Sequence, residues 1–99
     1  MDVYEFQAEL WEWEARPGTY FVTVPQDESE DMRLGSGPPR GFGSVRVEAT
    51  IGATTWRTSV FPDGTTGCFV LPMKQAVRRA EGLEVGGRAR VTIRPVDPR

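Results

Sequence analysis

The sequence predicts a mainly β fold, in which two strand–strand–helix–strand halves form a small closed or half-open barrel with two short helices. Residues 20–24 and 68–71 are short apolar runs, and each is followed by a proline and then by a helix-like stretch. Most other segments alternate between apolar and polar residues, as half-buried strands do. Glycines and prolines separate these segments, so the strands are short. Six short strands and two small helices cannot make an extended parallel sheet, so a barrel covered by the helices is the expected packing.

The first half is predicted to span residues 3–51 and to begin with a bent strand. Residues 3–14 alternate at first, and the large apolar side chains then change face near Leu10 and Trp11. A bulge or a sharp bend at this point would produce the change. The Pro-Gly pair at positions 17–18 predicts a turn, and residues 19–24 predict the second strand.

A helix and a third strand complete the first half. Pro25 suits the first turn of a helix because it has no amide hydrogen to leave unpaired. The acidic residues between 27 and 31 would then lie near the positive end of the helix dipole, which favours them there. Residues 35–41 are rich in glycine and proline and predict a loop, and residues 43–51 alternate cleanly as a strand.

The second half is predicted to span residues 54–95 and to repeat this order. Gly52 suits a two-residue hairpin turn that leads into a strand at 54–61. Residues 67–71 predict a short strand, and residues 88–94 alternate as the last one.

The second helix is expected to open at Pro72, by the same reasoning as for Pro25. Apolar residues then follow at helical spacing and predict one buried stripe, which consists of Met73, Ala76, Val77 and Ala80. Gly82 suits the left-handed conformation that ends many helices.

The inward faces of these elements predict one core, in a single domain that covers all 99 residues. The expected core residues are Phe6, Ala8, Leu10, Val22, Val47, Ala49, Trp56, Val60, Val77, Leu83, Val91 and Ile93.

Charge is unevenly distributed along the chain. Residues 1–31 hold nine of the 14 acidic residues and one base, whereas residues 32–99 hold eleven of the 12 basic residues. One interpretation is a basic surface that binds phosphate or nucleic acid. The other is that acidic strands of the first half pair with arginine-bearing strands of the second, as opposite charges on neighbouring strands often do.

The residue types argue against most enzyme classes. The chain has no histidine, which excludes Ser-His and Cys-His nucleophile pairs and histidine-based metal sites. No pair of carboxylates stands at a diagnostic spacing, so we expect no enzyme, no catalytic residues, no metal and no cofactor. Cys68 is the single cysteine and cannot form an intrachain disulfide. Together with a start that lacks the features of a signal peptide, it predicts a cytoplasmic protein without a membrane segment.

Several segments carry a resemblance to a known family. The chain resembles domain of unknown function 1905 in residues 40–47 (RGFGSVRV), 55–62 (TWRTSVFP), 71–78 (LPMKQAVR) and 82–86 (GLEVG). The resemblance implies a double-split β-barrel, a fold class that also includes AbrB/MazE-type DNA-binding domains made of two interleaved chains. It implies no catalytic motif. Gly87 stands where the family usually has an acidic residue.

These observations favour a non-catalytic binding module for a small anionic ligand or a protein partner. The candidate ligand-binding residues are Arg40, Arg46, Trp56 and Arg57, which lie near glycine-rich backbone that could bind an anion. The competing interpretation is that Trp56 belongs to the core and that the arginines pair with Glu5, Glu9 and Glu48.

The alternative function is an AbrB/MazE-like DNA-binding or antitoxin-type regulator. The acidic first half and a net charge of −2 make nucleic acid an unlikely partner, because affinity for nucleic acid comes mainly from neutralised phosphates. One chain holds both halves of the expected barrel, so a monomer is predicted.

Overall fold

The computed structural model describes residues 3–35 and 43–96. In that part of the chain, seven strands and two helices follow one another: β1 (Tyr4–Glu9), β2 (Trp11–Glu12), β3 (Tyr20–Thr23), α1 (Gln26–Gly35), β4 (Val45–Ile51), β5 (Thr54–Pro62), β6 (Phe69–Pro72), α2 (Gln75–Glu81) and β7 (Arg88–Pro95). The mainly β fold class is therefore confirmed. Neither helix is long and apolar enough to cross a membrane.

The strands form one nearly closed antiparallel barrel. Their order is β1-β7-β4-β5-β6-β3-β2, and every neighbouring pair is antiparallel. The two ends of this order, β1 and β2, are consecutive in the chain and are separated by Leu10 alone. One bent strand thus joins both ends of the sheet. The predicted bend explains why six expected strands become seven.

Leu10 is fixed at the bend from both sides. Its amide donates a hydrogen bond to the Gly87 carbonyl, and its own carbonyl accepts one from the Gly86 amide, both at 2.9 Å. Its side chain is buried. The backbone therefore leaves the ladder with β7 at Leu10 and enters the ladder with β3 immediately afterwards.

The pairing pattern is unchanged when the two halves of the chain are exchanged. The bent strand β1–β2 pairs with β3 and β7, and β5 correspondingly pairs with β6 and β4. At the centre, the Val24 amide donates to the Phe69 carbonyl at 2.9 Å, and the Met73 amide donates to the Tyr20 carbonyl at 2.8 Å. These two hydrogen bonds make Val24 equivalent to Met73, and Phe69 equivalent to Tyr20. Superposition of residues 19–51 on 67–95 stays a prediction.

Pro72 does not open the second helix. It ends β6, opposite Phe21, and α2 begins three residues later, after Lys74 in an extended conformation. A proline at the end of a strand removes only one ladder donor, and the next amide, that of Met73, continues the ladder. The residue equivalent to Pro25 is therefore Lys74.

This shift also changes the predicted apolar stripe of α2. Met73 and Val77 are buried as expected, but Ala76 and Ala80 are exposed. Gly82 ends the helix with φ of +63°, which confirms the left-handed cap. The Leu83 amide then donates to the Arg78 carbonyl at 2.9 Å.

The predicted core is confirmed. Eleven of its twelve residues are buried, and the twelfth, Leu83, is partly buried against them. Further apolar residues complete it: Tyr4, Val24, Met32, Ile51, Phe69, Leu71, Met73 and Ala89. Among the described residues, Ser29 in α1 is the one fully buried polar side chain.

Candidate functional site

The predicted ligand-binding residues do not form one site. Arg46 and Arg57 are exposed on the outer face of the barrel, on neighbouring strands, where Arg46 stands opposite Ser59 and Arg57 opposite Glu48. They are therefore diagonal neighbours, close enough to act together. Arg40 lies outside the described residues.

Trp56 lies on the opposite face of β5 from Arg57. Its side chain is 9% exposed and belongs to the core cluster. Successive side chains of a strand point to opposite faces, so residues 56 and 57 cannot share a surface. The competing interpretation of Trp56 as a core residue is the one that the structure supports.

The arginines of the outer face alternate with acidic residues. Glu48 stands between Arg57 on β5 and Arg94 on β7, and Glu9 stands opposite Arg88. These pairs are on the surface, where each contributes at most about 1 kcal/mol. Within the described strands, the arginines therefore do not form an uninterrupted basic face.

A different group of residues lines an open groove where β3 and β6 approach the start of α2. The groove has a volume of about 540 Å³ and is lined by Gly18, Thr19, Tyr20, Pro72, Met73, Lys74, Gln75 and Arg78. Arg78 and Lys74 are its two cations. Both line the groove at the start of α2, so both can reach the same ligand.

The Arg78 guanidinium is held in place by two contacts. Its central carbon lies 3.8 Å from the centre of the Tyr20 ring, and its Nε donates a hydrogen bond to the Met73 carbonyl at 2.9 Å. Neither terminal nitrogen donates a hydrogen bond to any residue in ranges 3–35 and 43–96. The side chain is thus fixed at its Nε edge, while its terminal nitrogens remain available at the groove.

Comparison of the two halves shows what Arg78 adds. In the first half, the Ser29 hydroxyl donates to the Val24 carbonyl at 3.0 Å, and Val24 is the residue equivalent to Met73. Ser29 and Arg78 thus occupy corresponding positions in their helices and bind corresponding carbonyls. A buried hydroxyl is sufficient for this bond in one half. The other half uses a charged side chain with further donors.

An acidic residue limits one end of the groove. The Gly18 amide donates a hydrogen bond to a Glu12 carboxylate oxygen at 2.8 Å. Gly18 has φ of +91°, a conformation that glycine adopts readily. An anion would therefore be favoured at the Lys74 and Arg78 end, away from this carboxylate.

The groove provides the cations of Lys74 and Arg78, the hydroxyls of Thr19 and Tyr20, and the Tyr20 ring. The described residues contain no group of three or more Cys, Asp or Glu side chains that could hold a metal ion. The arrangement is suited to binding an anion. In the sequence, the Lys-x-x-x-Arg spacing at 74 and 78 is the signal that indicates it, but this spacing alone is common on solvated helices.

Comparison with known proteins identifies the family of this chain. No curated protein matches the chain. The family model described as Domain of unknown function (DUF1905) matches residues 6–93, which include every strand of the barrel except the start of β1 and the end of β7. The chain therefore belongs to the DUF1905 family.

Proposed function

We propose that this protein is a non-catalytic binding module whose groove takes a small anionic ligand that carries a phosphate or a carboxylate. Arg78 is the principal contact and Lys74 the second. The single observation that carries the proposal is the fixed Arg78 guanidinium, whose terminal nitrogens are free at the groove.

The energetics favour this arrangement. An unrestrained arginine loses up to about 2 kcal/mol of side-chain entropy when it binds. Stacking on Tyr20 and the bond to Met73 already restrict Arg78, so less of that cost remains when a ligand arrives. Its planar nitrogens match the oxygens of a carboxylate or a phosphate.

We also propose that the module acts as a monomer and that DNA is not its main partner. The barrel closes within one chain, because β1 and β2 supply both ends of the sheet. The alternative function, an AbrB/MazE-like regulator, would need a broad basic surface. Glu48 and Glu9 interrupt the outer arginines.

The anion site is tested by calorimetric titration with inorganic phosphate and with citrate at low ionic strength. Charge-assisted hydrogen bonds contribute about 1.5–3 kcal/mol, so Arg78→Gln should weaken binding at least tenfold. Arg79→Gln is the matched control, because Arg79 is exposed, adjacent in sequence and outside the groove. Equal affinities of the two variants would refute the assignment of Arg78.

The regulator is tested by fluorescence anisotropy with a DNA duplex at near-physiological salt. We expect no sub-micromolar binding. Tight binding with a steep salt dependence would contradict the anion-binding proposal and support the DNA-binding regulator instead. Light scattering at micromolar concentration should show a monomer.

A further inference from the structure

The outer surface of β2, β3, β6 and β5 carries a group of apolar side chains outside the core. We call it the aromatic face and define it by Trp11, Trp13, Phe21, Phe61, Val70 and Pro72. Soluble antiparallel sheets usually have one apolar and one polar face. In this part of the barrel, both faces are apolar.

Ring contacts establish that three of these side chains lie together. The Trp11 and Phe21 ring centres are 5.2 Å apart, and those of Trp13 and Phe21 are 6.3 Å apart in an edge-to-face arrangement. The Trp11 indole also donates a hydrogen bond to the Thr23 hydroxyl at 3.0 Å. Thr23 therefore lies on the same face of β3 as Phe21.

The strand register extends this face across β6 to β5. Phe21 stands opposite Pro72, and Thr23 stands opposite Val70. Val70 in turn stands opposite Phe61. Val70 is 7% exposed although it is not a member of the core cluster, so its neighbours on the outer face must cover it.

The face is open at its margins. Trp13 is 44% exposed and Phe61 is 41% exposed. Exposed apolar surface that spans several strands is typical of an interaction site, and tryptophan contributes strongly to such sites.

Basic side chains border one side of the aromatic face. Along β5, Arg57 and Ser59 precede Phe61 at alternate positions, and Arg46 stands opposite Ser59. Lys74 follows Pro72 by two residues and is exposed. The β5–β6 side of the face is therefore bordered by cations.

Nearby carboxylates offset these cations only in part. Glu48 is shared between Arg57 and Arg94. Asp63 accepts hydrogen bonds from the Thr65 amide and the Thr66 hydroxyl within its own turn.

We propose that the aromatic face binds a peptide segment of a partner protein that carries apolar or aromatic side chains next to carboxylates. The apolar side chains would cover Trp13, Phe21 and Phe61, and the carboxylates would lie toward Arg57 and Arg46. This surface meets the edge of the groove at Pro72 and Lys74, but it does not include Arg78 and does not depend on the role of Arg78.

The charge pattern favours such a peptide over the other occupants. A single-stranded nucleic acid carries a phosphate at every nucleotide, whereas the cations that border the face, Arg57, Arg46 and Lys74, lie on its β5–β6 side. A second copy of the chain would bring a second set of the same cations, Arg57, Arg46 and Lys74, against this face. A peptide can place its carboxylates at the basic side only.

The experiment selects peptides from a displayed library of random 12-residue sequences on the wild-type protein. Bound sequences should be enriched in Asp and Glu together with aromatic or branched apolar residues. Synthetic versions of the selected peptides are then titrated against variants by anisotropy. Trp13→Ser and Phe61→Ser should each weaken binding at least tenfold, and Arg57→Glu should do the same through charge.

Leu34→Ser is the matched control, because Leu34 is 85% exposed, lies on α1 and is not one of the residues that define the face. Its substitution should leave affinity within twofold of wild type. Circular dichroism of each variant confirms that it folds. The proposal is overturned if no sequence is enriched, if basic peptides are selected, or if Trp13→Ser binds like Leu34→Ser. A dimer that Trp13→Ser abolishes, or competition by a 12-nucleotide thymidine strand, would identify one of the other occupants instead.

Discussion

Replacing Ser29 with alanine should destabilise the barrel more than its small size suggests. The Ser29 hydroxyl lies between two strands, where it donates to the Val24 carbonyl and accepts from the Phe69 amide, both at 3.0 Å. The same two residues are also joined directly, by a hydrogen bond from the Val24 amide to the Phe69 carbonyl. The hydroxyl thus completes a strand pair and also fixes α1 to it.

The expected loss follows from these contacts. A buried backbone group without a partner costs about 1–3 kcal/mol, and Ser29→Ala leaves two of them. The higher helix propensity of alanine returns about 0.5 kcal/mol. We therefore expect the free energy of unfolding to fall by about 1.5–5.5 kcal/mol, and Tm to fall by roughly 5 °C for each kcal/mol in a chain of this size.

Urea unfolding followed by circular dichroism measures this change directly. Ser59→Ala is the matched control, since Ser59 lies on the outer face of β5 and is only partly buried. If Ser29→Ala lowered the unfolding free energy by less than about 0.5 kcal/mol, or no more than Ser59→Ala, the hydroxyl would not hold the strands together.

Two further predictions concern the hairpin and the core. Gly52 and Gly82 both have positive φ, but an added Cβ at Gly52 would also displace the Glu81 carboxylate from its hydrogen bond with the Thr54 hydroxyl. Gly52→Ala should therefore lower Tm more than Gly82→Ala. Equal losses would mean that backbone strain alone accounts for both. Val47→Ala should lower the free energy of unfolding in urea by about 1–3 kcal/mol, because the side chain is 1% exposed and its removal leaves a cavity. Arg46→Ala, on the opposite face of β4, is the control and should lower it by less than about 0.5 kcal/mol.

Alternation of residue types was sufficient to predict most of the fold. The inward residues of β4, β5 and β7 alternate with polar ones, so their faces and the core could be assigned before any pairing was known. Gly52 and Gly82 indicated the hairpin and the helix end, because both positions require positive φ.

Prolines were a weaker guide. Pro25 does precede a helix, but Pro72 belongs to a strand, and a proline fits the end of either element. An alignment of the two halves on Pro25 and Pro72 is two residues away from the structural one, so it does not match Ser29 with Arg78. Only the central hydrogen bonds of the two strands reveal the correct alignment.

The candidate site depended on contacts that local sequence does not encode. Stacking of Arg78 on Tyr20 joins residues that are far apart in the chain, and no local pattern predicts it. The same holds for the aromatic face, where Trp11 and Phe21 meet Pro72 and Phe61 only through the strand order. Trp56, in contrast, was predicted to bind the ligand because of its residue type. Its position on the inward face of β5 excludes it from the surface.

The bend at Leu10 has a consequence for the order of folding. The strand before the bend pairs with β7, whose residues are the last of the barrel to be synthesised, so Tyr4 meets Ile93 across almost the whole chain. Contacts of such long sequence separation slow folding, because their loop entropy is lost before they stabilise anything. During synthesis the opening strand must wait, unpaired on its β7 side, until the ribosome has released the residues that complete the ring.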